Sequence, residues 1–176
     1  MILRTERLFL RPLAMSDAPA LFAARGDPEV MRWWDWPAQN NLAELESIIA
    51  DHDAPRREGS VLWWVAALTP DGPAIGECDL SEIDARHRRA EIGFLFARAH
   101  WGKGYGREAA QATLDHGFGA LGLARLYARI HAGNERSRRL LERLGFAFEG
   151  RMRSHIERDG ERRDCLIYGM SRDDAG

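Results

Sequence analysis

No apolar run in this chain approaches the roughly 18 residues that a membrane-spanning helix needs, so no membrane partner is expected for its 176 residues. Neither sign of charge dominates: 25 basic residues stand against 27 acidic ones, a formal charge of −2. That balance creates no global field for nucleic acid, and no nucleic-acid partner is expected. Cysteine is scarce. Cys78 and Cys165 lie far apart without paired spacing, which speaks for a reduced, cytoplasmic setting. His52, His87, His100, His116, His131 and His155 are scattered without ligand spacing, so no metal site is expected. The opening stretch Met1–Leu13 carries charges through its apolar residues and lacks a small-residue cleavage site, unlike a signal peptide. Repeats, low-complexity tracts and long linkers are also missing, which leaves one domain over residues 1–176.

What is present is ordinary globular composition, 45% apolar and 30% charged, in a chain long enough to bury a core. Residues 7–13 alternate like a strand. Ser16 reads as a helix N-cap with Pro19 in the first turn. Asp27-Pro28 opens a short helix toward Met31–Trp34. Asn41, with Glu44 three residues on, opens a third helix whose Leu42, Leu45, Ile48 and Ile49 form one stripe. From residue 61 the period changes. Residues 61–68 and 74–80 read as strands around Asp71-Gly72. Residues 90–96 read as a third, with Glu91 on the face opposite Ile92 and Phe94. A helix to about His116, a strand over 124–131 and a helix capped by Asn134 and closed by Gly145 follow. Two strands around Asp159-Gly160 complete the chain. The order predicts an α/β fold, a mixed and mainly antiparallel sheet of about seven strands flanked by helices.

The strongest local signal is His100-Trp101-Gly102-Lys103-Gly104-Tyr105-Gly106-Arg107. Three alternating glycines stand between a strand and a helix, where glycine lets the backbone approach a ligand. The helix behind them presents unpaired N–H groups and about half a positive charge. Together these make an anion cradle suited to a pyrophosphate, to which Lys103 and Arg107 add charge. The alternative is a plain turn with glycines for tight packing. Two nucleotide folds fail on the residues. A P-loop needs Ser or Thr after its Gly-Lys, but Gly104 follows Lys103. A dinucleotide fold needs the glycines after its first strand and an acid at the next strand's end, where this chain has Arg129-Ile130-His131.

Ala90-Glu91-Ile92, the glycine turn, Asn134-x-x-Ser137 and Leu144-Gly145-Phe146 together resemble the GNAT N-acetyltransferase superfamily in order and spacing. Arg4-Thr5-Glu6-Arg7-Leu8-x-Leu10-Arg11-Pro12 and Asp159-Gly160-x-x-x-Asp164 look like its RimJ/RimL branch, the ribosomal-protein alanine N-acetyltransferases. The resemblance covers nearly the whole chain. It implies a transfer of an acetyl group from acetyl-coenzyme A, as co-substrate, to a primary amine. It also implies a splayed gap between two central strands, in which the main chains of Leu95 and Phe96 meet the pantetheine arm. Gly102, Lys103, Gly104, Tyr105, Gly106 and Arg107 would hold the phosphates. Asn134 would bond the cofactor, or serve as a helix cap, or do both. Trp101 stands where the family usually has Gln or Arg.

The chemistry requires a neutral nitrogen, a polarised thioester carbonyl and a proton for the thiolate. An α-amine titrates near 7.7–8.0 and lysine near 10.4, so lysine costs roughly 3 kcal/mol more to deprotonate at neutral pH. Glu91 is the first candidate base, with Glu77 and Asp79 as rivals; the alternative for each is a sheet-face carboxylate paired with arginine. The tyrosine that many relatives place seven residues after the Asn134 position is Leu141 here. By resemblance to the RimJ/RimL branch, Ser137 would protonate the thiolate, with Tyr105 and Tyr168 as spare donors. Trp33, Trp34 and Trp36 would wall the acceptor site; the alternative is that they cap the core or a homodimer interface. A peptide N-terminus and a small-molecule amine both remain open as acceptor. The rival from another class is a non-catalytic acyl-CoA-binding or sensor module.

Overall fold

Residues 62–67 are all apolar because the sheet buries both of its faces there. In the computed structural model, which describes residues 1–174, eight strands run in the order β1-β2-β3-β4-β5-β6-β8-β7. They are β1 Leu3–Arg4, β2 Phe9–Pro12, β3 Leu62–Ala67, β4 Gly76–Asp84, β5 Arg89–Phe96, β6 Arg125–His131, β7 Ala147–Arg158 and β8 Glu161–Ser171. Six helices connect or cover them: α1 Ala18–Arg25, α2 Pro28–Met31, α3 Leu42–Asp51, α4 Asp53–Glu58, α5 Tyr105–Phe118 and α6 Glu135–Arg143. The eighth strand is β1, whose two residues are too few to show a period. Helix α4 has no buried residue, so it leaves no apolar stripe, and Gly59 at φ +76° ends it.

One correction concerns the start of α1. Ser16 does not cap it. Asp17 does the bonding there: its carboxylate accepts from the Ala14 amide at 2.9 Å and pairs with Arg11. Ser16 sits inside a 3-10 turn, Met15–Asp17, that the Asp17 carboxylate closes, and α1 begins after it without a side-chain cap bond.

Because strand side chains alternate between faces, Trp63 and Trp64 point opposite ways, and both are buried. Trp64 joins Leu8, Leu10, Leu80, Ile92 and Leu126 under α5 and α6. Trp63 joins Leu13, Leu21, Leu45, Ile49 and Val65 under α1 and α3. Burying such side chains stabilises the fold by about 1.5–3 kcal/mol each.

All neighbouring strands are antiparallel except β5 and β6. This parallel pair holds for three positions only, Arg89↔Arg125, Ala90↔Leu126 and Glu91↔Tyr127, and then separates. The sheet therefore opens at its centre, beside the glycine turn that follows β5.

Candidate active site

The opening exposes backbone on one edge of β5. The Ala97 amide donates to Ile75, and the Arg125 amide donates to Arg88. Odd-numbered residues of β5 thus turn their main-chain groups toward β4, and even-numbered ones toward β6. Past Glu91 the even-numbered groups, those of Ile92, Phe94 and Phe96, face the gap. Leu95 departs from the expectation. Its main chain pairs with Glu77, and its buried side chain clusters with Ala24, Val30 and Met31. The period of two decides this, and Phe94 takes its place. Phe96 keeps only its amide for a ligand, since its carbonyl accepts the Trp101 indole N–H at 2.7 Å. Trp101 is therefore a brace for the turn, with the Arg136 guanidinium 3.8 Å above its ring centre.

In the turn itself, Gly102 (φ +75°) and Gly104 (φ +84°) adopt the left-handed conformation that side chains resist. The first α5 bond runs from the Glu108 amide to the Gly104 carbonyl. The amides of residues 105–107 consequently have no helical acceptor and are available to an anion. A Cβ at Gly102 would meet nothing within 4 Å, so the cradle is open. These residues fit a diphosphate.

Arg7, which the motif reading passed over as a binding residue, completes the turn. It donates to the Lys103 carbonyl at 3.0 Å, pairs with Glu108 at 2.6 Å and lies over the Tyr105 ring. Thr5 also donates to Glu108, at 2.5 Å. The run Arg4-Thr5-Glu6-Arg7 was its signal, but nothing in the sequence said that it returns to a segment about 100 residues away. Asn134 caps α6, its side-chain oxygen accepting from the Ser137 amide at 3.2 Å. Tyr105 belongs to the phosphate turn and Tyr168 to the core under α5 and α6.

On the α1–α3 face, a cleft of about 630 Å³ is lined by Trp33, Trp34 and Trp36 on one side and by Asp79, Gly93 and Ser137 on the other. The three candidate bases part company here. Glu77 is 1% exposed, forms an ion pair with Arg25 and does not reach the cleft. Glu91 lines the cleft but receives three bonds of 2.8–3.0 Å from Arg129; burial lifts its carboxyl above the usual range against that pull. Asp79 has no arginine partner among the described residues. Burial, reinforced by the charge of Glu77, pushes its carboxyl up to about 7, against the opposing hydrogen bond of Ser81. A carboxyl poised near neutrality in a cleft is suited to exchanging a proton with an amine.

Across the cleft, buried His131 bonds through Nε2 to Asp35 at 2.9 Å and holds that carboxyl below its ordinary range. Neither residue was singled out from the sequence, since a histidine 96 positions from its partner carries no spacing signal.

The chain matches the acetyltransferase (GNAT) domain family over residues 7–147. It is 32% identical to the uncharacterized N-acetyltransferase YoaA of Bacillus subtilis over 96% of each chain. It is 29% identical to the spermidine N(1)-acetyltransferase of Escherichia coli, covering 89% of this chain and 82% of that one. Among solved structures, RimJ of Mycobacterium smegmatis in complex with CoA-disulfide superposes with a TM-score of 0.86 at 28% identity, covering 98% of this chain and 87% of that one. With the splayed strands, the amide cradle and these likenesses together, the chain belongs to the GNAT acetyltransferase family and is an acetyl-CoA-dependent N-acetyltransferase that acts on a primary amine.

Proposed function

We propose that Asp79 is the base that takes the proton of the acceptor ammonium, and that Ser137 supplies the proton for the departing thiolate. Acetyl-CoA brings the activated acyl carbon and the thiol leaving group. Amides 105–107, with Lys103, Arg107 and Arg7 around them, hold its phosphates, and the main chains of Phe94 and Phe96 align the pantetheine arm. Asn134 orders the first turn of α6 and so fixes where Ser137 stands. Glu91 serves mainly to fix Arg129 across the β5–β6 gap, and Trp33, Trp34 and Trp36 exclude water from the acceptor side.

The observation that carries this reading is the Asp79 carboxyl, half-buried in the cleft wall, without an arginine partner among the described residues and pushed up to about 7. A general base works best with a pKa near the operating pH. Two relatives are named for their targets, a spermidine N(1)-acetyltransferase and a putative ribosomal N-acetyltransferase, and both names describe transfer to nitrogen. The test is thiol release from acetyl-CoA over a panel of amines, with Asp79→Asn and Glu91→Gln side by side and coenzyme A binding followed by calorimetry. Asp79→Asn is expected to lower turnover by about 10²–10⁴-fold with binding retained. Turnover that survives in Asp79→Asn and disappears in Glu91→Gln would return the base to β5.

A further inference from the structure

We infer that the acceptor is a small diamine, and that Asp35 selects it by holding the ammonium group that does not react. The inference rests on the N-acetyltransferase reading and concerns the same cleft. Both guanidinium groups in the cleft wall are committed, Arg25 to Glu77 and Arg129 to Glu91. A substrate carboxylate would find no free arginine there. Carboxylates, by contrast, are in excess: Asp35, Asp51 and Asp79 all line the cleft, and none has an arginine partner among the described residues. The cleft therefore favours a ligand with more than one positive charge.

Asp35 is built for this role. The His131 Nε2–H occupies its Oδ1, which leaves Oδ2 for a second donor, and its side chain is 34% exposed. The segment that carries it is fastened from below. Arg158 donates to the carbonyls of Met31 and Trp34, and Arg163 to that of Arg32. Trp34 and Trp36 flank Asp35 in the chain and line the cleft with it; Arg25 already lies over Trp34, whereas no cation among the described residues lies over Trp36, which offers its face to an ammonium group. Asp79 lies on β4 and His131 on β6 with the opened β5–β6 gap between them, so they stand at least two strand spacings apart, upwards of about 10 Å. That span suits the two ends of an extended aliphatic diamine, one at Asp79 and one at Asp35.

The test compares n-pentylamine, cadaverine and δ-aminovalerate, acceptors of equal chain length that differ in the charge at the far end. Turnover is read as free thiol released from acetyl-CoA. The kcat/KM for cadaverine should exceed that for n-pentylamine by about tenfold, and δ-aminovalerate should be the poorest. Asp35→Asn should bring the cadaverine-to-pentylamine ratio close to one, and Asp35→Glu should keep the preference. Calorimetry of cadaverine with the full chain should show a binding heat that Asp35→Asn loses while its thermal melt stays cooperative. Equal rates for the two amines, a preference for δ-aminovalerate, or faster turnover of a peptide beginning with alanine would overturn the diamine and leave the transferase standing. No thiol from any amine would sink the transferase reading instead; the cadaverine heat, which needs no turnover, would still decide the subsite.

Discussion

A Cβ atom placed on Gly93 would lie 2.3 Å from Oδ1 of Asp79. The two residues are cross-strand partners on β4 and β5, and the missing side chain of one is the space in which the carboxylate of the other sits. Gly93→Ala must therefore displace Asp79. Since a displacement of about 1 Å can cost on the order of 10²-fold, kcat should fall by that order. Coenzyme A affinity, read by calorimetry, should hold. A kcat within a factor of about two of the parent would show that the position of Asp79 does not matter to turnover.

The carboxyl of Asp79 also sets a pH dependence. Burial raises it to about 7, and only its ionised form accepts a proton, so kcat/KM should climb as pH rises through about 7. In Asp79→Asn the inflection should disappear, with a loss of about 10²–10⁴-fold.

The same shift has a stability sign. The folded-state carboxyl titrates above its ordinary value of 3.8, so the folded protein binds the extra proton between 3.8 and about 7, and stability falls as pH rises through that window. Asp79→Asn should accordingly melt higher than the parent at pH 8 and close to it at pH 4. Equal melting temperatures at both pH values would mean that the carboxylate is solvated in the folded state.

Arg7 pairs with Glu108 and donates to the Lys103 carbonyl across the phosphate turn. Arg7→Ala should loosen the cradle and raise the KM for acetyl-CoA by about tenfold. The effect should weaken in high salt, as the guanidinium is 45% exposed. Steady-state kinetics at two ionic strengths read both.

Trp101→Phe keeps the ring under Arg136 but removes the indole N–H that reaches the Phe96 carbonyl. Leaving that carbonyl without its donor should cost about 1–3 kcal/mol, seen as a lower melting temperature. Coenzyme A should narrow the gap if its pantetheine amide takes up the vacated carbonyl.

Much of the frame was legible because it is local. The period of two in β5, the glycines of the turn and the Asn134 cap are each decided within a few residues, and the structure places them as the sequence suggests. Leu95 was misplaced among the ligand-facing backbone positions because a strand's hydrogen-bonding edge depends on which neighbour pairs with it. Arg129 and Glu91 show the same limit. The sequence offered Glu91 as a carboxylate on the right face, but its guanidinium partner comes from a strand 38 residues later.

The sequence by itself determined most of the elements, their order, the glycine turn and the family, because short-range backbone preference and apolar periodicity are properties of neighbouring residues. The tertiary structure alone decided which acids are neutralised and which remains poised, that Arg7 returns to the phosphate turn, and that Asp35 meets His131. Charge state depends on burial and on partners within a few ångströms, and those partners are brought together by folding from positions the chain keeps far apart.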